Sequence, residues 1–106
     1  MASVIWDPKA LEQVHGIYDY YYEHMSPEVA ADLLNDIMIA PNVLETAPQT
    51  GASEPIFENE EVEFRYLVVR KHWKLIYFIL GESCHIAVVW DTRNNPALLP
   101  ITIHGI

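Results

Sequence analysis

A chain of 106 residues, 51% apolar and 20% charged, has the size and composition of one globular domain spanning 1–106. A net charge of −9 excludes non-specific binding of nucleic acid or anionic membrane by the surface as a whole, and the single Cys84 excludes an internal disulfide. No apolar run reaches the ~18 residues of a membrane span, and the N-terminus lacks a basic-then-apolar signal pattern, so a cytoplasmic protein is expected.

In chain order, Ser3-Val4-Ile5-Trp6 is a short apolar run with the look of an edge strand. Asp7-Pro8 is a helix start, with Asp7 as N-cap and Pro8 at the first helical position. Leu11, Val14, Tyr18, Tyr21 and Met25, with Ile17 beside them, give an amphipathic helix from about Pro8 to about His24. Ser26-Pro27-Glu28 repeats the start signal for a second helix, whose core stripe is Val29 or Ala30, Leu33, Leu34, Ile37 and Met38. Pro41 removes a backbone donor inside the continuing apolar pattern, which predicts a break near Ala40 and a short turn around Val43-Leu44.

The segment 48–61 is rich in Gly, Pro, Ser and Glu and reads as a plain connecting loop. After it come three strand-length runs of Val, Ile, Phe, Tyr and Trp, broken at Arg70-Lys71-His72 and at Gly81-Glu82-Ser83. Breaks this short predict an antiparallel meander. The fold class is therefore α+β: a two-helix hairpin on one face of a mostly antiparallel four-stranded sheet, in the order β-α-α-β-β-β. Alternation in the first meander strand assigns Phe64, Tyr66 and Val68 to the helix side and Glu63, Arg65 and Leu67 to the open side. In the next strand Lys74 places Ile76, Phe78 and Leu80 on the open side, so that face is expected to be partly apolar and suited to a partner, a second copy included. The tail after Pro96, with His104, is apolar and too short for a helix.

Charge is unevenly placed. Five of the six Lys and Arg residues fall between Arg65 and Arg93, where the net charge is +3, against −12 for the rest of the chain. On their own, Arg65, Lys74 and Arg93 are better read as solvated strand residues paired with Glu63, Glu82 or Asp91 across the sheet than as a site. The five histidines lack metal-ligand spacing, and no metal or other cofactor is expected. His72, next to Lys71, is the one histidine with the setting of an acid or base. The acid run Glu58, Glu60, Glu61, Glu63 is a solvated rim or a seat for a basic segment.

The order of elements, with particular residues in place, resembles the RelE/ParE family of toxins from type II toxin–antitoxin (plasmid stabilisation) systems. Trp6-Asp7-Pro8-Lys9-Ala10 is similar to the family's opening strand and helix start, and Leu44-Glu45-Thr46-Ala47-Pro48-Gln49-Thr50-Gly51 to its exit from the second helix. Phe64–Val69, Trp73–Tyr77 and Val88–Arg93 resemble its closing strands. The resemblance implies a growth-inhibiting bacterial toxin neutralised by a cognate antitoxin, without sequence-specific nucleic-acid binding of its own. Its ParE-like branch inhibits DNA gyrase by protein–protein contact. Its RelE-like branch cleaves mRNA on the ribosome, and there Arg65, Lys74 and Arg93, with His72, would form the catalytic set. Leu67 stands where that branch often carries a lysine, and the tail lacks a tyrosine. The gyrase-directed reading is the preferred expectation; the alternatives are the endonuclease and a non-toxic relative that only binds its antitoxin.

Overall fold

The computed structural model describes residues 1–54 and 62–93. Strand β1 (Ser3–Trp6) leads through Asp7 into α1 (Pro8–His24), and α2 (Pro27–Ile39) follows after a turn. The Ser26 side chain accepts a hydrogen bond from the Val29 N–H at 3.1 Å, so this cap is made; Asp7 makes no side-chain cap. Pro41 ends α2 as the missing donor requires, and a 3-10 helix takes over at Ala40–Glu45.

The chain then forms β2 (Ala52–Ser53), β3 (Phe64–Val69), β4 (Trp73–Leu80) and β5 (Ser83–Asp91). Among the described residues the sheet has five strands in the order β1-β5-β4-β3-β2, antiparallel except for the parallel pair β1–β5. The expected four strands are thus present, and the expected count is corrected by β2. Two residues show no alternation in sequence, yet Ala52 and Ser53 pair with Tyr66 and Arg65, and the Glu54 N–H continues the ladder to the Phe64 carbonyl.

The helices pack on one face. There Ala10 and Val14 of α1 and Leu33 and Ile37 of α2 meet Leu75 and Tyr77 of β4 and Cys84, Ile86 and Val89 of β5. Each such aliphatic side chain contributes roughly 1.5–3 kcal/mol by leaving water. The face assignment of β3 is reversed from the sequence expectation: Leu67 and Val69 lie with the helices, while Phe64 and Tyr66 lie on the other face. Register dictates this, because Leu67 and Val69 stand opposite Leu75 and Trp73, and directly opposed residues share a face. The assignment for β4 agrees with the structure.

Opposite the helices, Phe64, Ile76, Ala87, Val88 and Trp90 form a second cluster. That face is partly apolar as expected, but its centre is not bare: Ile76 and Val88 have no exposure, and among its described apolar residues only Val68 and Leu80 are more than half exposed. A bulge makes this possible, since Ile76 pairs with Val88 and Tyr77 with Ile86, leaving Ala87 as an extra residue. Residues 55–61 of the 48–61 connector and the tail after Arg93 lie outside the described residues.

Candidate functional site

The four residues singled out by sequence occupy three separate places. Arg65 opposes Tyr77 on the helix side of the sheet. Its guanidinium donates to the Gly51 carbonyl at 2.7 Å and to the Gln49 carbonyl at 3.4 Å, and it is ion-paired with Glu63. Tyr77 works on the same segment: its hydroxyl donates to the Pro48 carbonyl at 2.8 Å and accepts from the Gly51 N–H at 2.9 Å. Burial pushes the Tyr77 phenol above its usual pKa, with the Gly51 hydrogen bond acting the other way. Gly51 is required here, because a Cβ would stand 2.6 Å from the Tyr66 carbonyl oxygen and 2.7 Å from the Tyr77 hydroxyl. Arg65 and Tyr77 together clamp residues 48–51 onto the sheet.

Lys74 stands on the opposite face, across from Val68 and Trp90. Its ammonium donates to Glu54 Oε2 at 2.8 Å and lies 4.0 Å above the centre of the Tyr66 ring. Glu54 is only 5% exposed, so this pair is largely removed from water. Nothing in sequence spacing marks Glu54 as the partner of a residue 20 positions later; β2 brings it there.

Arg93 follows β5 and is chelated by Asp91, Nε to Oδ1 at 2.9 Å and an η-nitrogen to Oδ2 at 2.7 Å. The hydrogen bonds from Arg93 hold the Asp91 carboxyl below the usual carboxylate range, and Asp91 in turn, with Tyr21, raises the arginine. The pair lines a cleft of about 330 Å³ with Gly16, Ile17, Tyr20, Tyr21 and Trp73. His72 is at the same end of the sheet: its carbonyl accepts from the Thr92 N–H at 2.8 Å and its ring meets Trp73 edge-on. The structure therefore groups His72 with Asp91 and Arg93, and keeps Arg65 and Lys74 on opposite faces. Among the described residues no three His, Cys, Asp or Glu side chains converge as metal ligands, and no helix is long and apolar enough to cross a membrane.

The family model for the ParE toxin of type II toxin–antitoxin systems (parDE) matches residues 4–96. The chain belongs to this family. It is a type II toxin of the ParE type, as the order of strands and helices implied. It is also similar to a chain of the chromosomal ParDE TA system from P. aeruginosa, with a TM-score of 0.71 and 26% identity. That match covers 86% of this ParE-type chain and 96% of the other. No curated protein matches it.

Proposed function

We propose that this ParE-type toxin acts by protein–protein contact, inhibiting DNA gyrase, and that a cognate antitoxin neutralises it. The observation that carries this over RNA cleavage is the separation of the basic residues. Cleavage through a 2′-hydroxyl needs a base, a stabiliser of the phosphorane charge and an acid within reach of one phosphate. Arg65 is committed to backbone carbonyls on one face, Lys74 to Glu54 on the other, and Arg93 to Asp91 at the sheet's end. Three cations, each already matched to protein oxygens, offer no shared phosphate site. Membership of the ParE family supports the reading of a gyrase target, and membership of a toxin–antitoxin system supports a cognate antitoxin.

The test is a supercoiling and DNA-cleavage assay with purified gyrase, beside an assay for ribosome-dependent mRNA cleavage. The wild-type chain is expected to inhibit gyrase, and Lys74→Ala and Arg93→Ala to retain that inhibition whenever they stay folded. Cleavage of mRNA that disappears in both variants would overturn the proposal in favour of the endonuclease. A folded chain inactive in both assays would mark a relative that only binds its antitoxin.

A further inference from the structure

The β3–β4 connection has a backbone that its residues do not favour. Arg70 (φ 48°) and Lys71 (φ 71°) are the two non-glycine residues with positive φ among the described residues. Three residues connect the paired Val69 and Trp73, and the His72 N–H bonds the Arg70 carbonyl, so Lys71 is the centre of a γ-turn with positive φ, a conformation that is rare and strained for a residue with a Cβ. A strained turn holding two long cations is a stability cost that the fold itself does not require.

The apex is fastened on both sides. Arg70 Nε donates to Asp36 Oδ2 of α2 at 2.6 Å, the His72 N–H donates to the Arg70 carbonyl at 2.8 Å, and the His72 carbonyl accepts from Thr92. Between these anchors Lys71 is exposed. The other four basic residues of the meander each meet a carboxylate: Arg65 with Glu63, Arg70 with Asp36, Lys74 with Glu54 and Arg93 with Asp91. Lys71 meets none among the described residues. In a chain of net charge −9, a cation that pairs with no acid among the described residues is conspicuous.

We propose that Lys71, presented by the strained and anchored apex of the β3–β4 hairpin, is a target-contacting residue whose ammonium meets a carboxylate on the target protein. A protein carboxylate fits better than a nucleic-acid backbone, which is bound through many phosphate contacts at once, whereas among the described residues of the meander Lys71 is the one cation without a carboxylate. Arg70 and His72 are positioning residues. This rests on the reading that the toxin acts by protein contact, and it names the place of that contact.

The test compares Lys71→Asn, Lys71→Gly and Lys71→Arg with wild type in growth arrest, gyrase inhibition with the purified enzyme, and thermal unfolding. Asn and Gly suit a positive φ, so both variants are expected to melt higher by roughly 2–5 °C. Both are expected to lose about tenfold or more in potency, as follows from removing one partner of an interfacial charge pair. Lys71→Arg, which keeps the charge, is expected to keep potency. Higher stability with unchanged potency in the Asn and Gly variants would overturn the proposal and leave the apex a mere turn. So would an arginine variant as weak as the asparagine one. If the wild-type chain arrests growth without affecting gyrase, the gyrase reading fails, yet loss of arrest in Lys71→Asn still upholds the contact. A wild-type chain that does neither overturns both.

Discussion

Tyr77→Phe separates the clamp from the core around it. The phenol ring is fully buried between the helices and the sheet, and phenylalanine keeps that packing. What disappears is the hydroxyl that bonds both the Pro48 carbonyl and the Gly51 N–H. A buried N–H left without a partner costs about 1–3 kcal/mol, and the lost bond to a carbonyl about 1 more. The expected loss is about 3 kcal/mol, or roughly 10–15 °C in Tm for a chain of this length. Because burial raises the folded-state pKa of this phenol, its contribution is complete below the unfolded value of about 10 and is lost as pH rises through the folded value. Urea denaturation of both proteins at pH 7 and at stepwise higher pH measures this directly. The gap between wild type and variant should be widest at neutral pH and shrink above about pH 10. Cys84, whose buried thiol is also raised, is common to both proteins and cancels in the difference. A gap under about 1 kcal/mol at pH 7, less than one unsatisfied donor is worth, would refute the clamp. A gap that stays constant to pH 11 would refute the titration argument.

Four further outcomes follow from the same geometry. Gly51→Ala forces its methyl against the Tyr66 carbonyl and should cost about 1–3 kcal/mol in denaturant unfolding, with no change in the helices by circular dichroism. Glu54→Gln leaves the Lys74 ammonium without a counter-charge in a largely dry site and should cost about 2 kcal/mol. Asp36→Asn instead breaks a half-exposed pair with Arg70 and should cost less than about 1 kcal/mol, fading with added salt. Ser26→Ala removes the α2 cap and should cost about 1 kcal/mol in the same assay.

The elements legible in sequence are those whose signal is local. Pro8, Ser26-Pro27 and Pro41 mark helix ends by backbone chemistry that tertiary contacts rarely override, and the structure follows them. The α2 stripe of Ala30, Leu33, Leu34, Ile37 and Met38 is as expected, while the α1 stripe is legible in period but partly off in phase: Ala10, Val14, Ile17 and Tyr21 face the core, and Leu11 and Met25 are exposed. A small alanine can sit closest to the sheet, and hydrophobicity alone ranks leucine above it. β2 escaped notice because two residues cannot show a period. The face of β3 was misread because a charged Arg65 was assigned to solvent, whereas it spends its charge on loop carbonyls beside Tyr77. The grouping of His72 with Arg93, and the placement of Arg65 on the helix side away from Lys74, depend on register, which leaves no mark in spacing, as the Lys74–Glu54 pair depends on β2. What sequence showed well was the order of elements, and that order is what the ParE family shares.

On the proposed function, this toxin works by contact with a protein of DNA metabolism and not by cutting RNA. Inducing the chain alone in a bacterial host, while translation and DNA integrity are followed in parallel, tests it most directly. DNA breaks and a damage response that precede any fall in translation, with total mRNA intact, are the predicted result. Translation collapsing first, with cleaved mRNA and unbroken DNA, would contradict it.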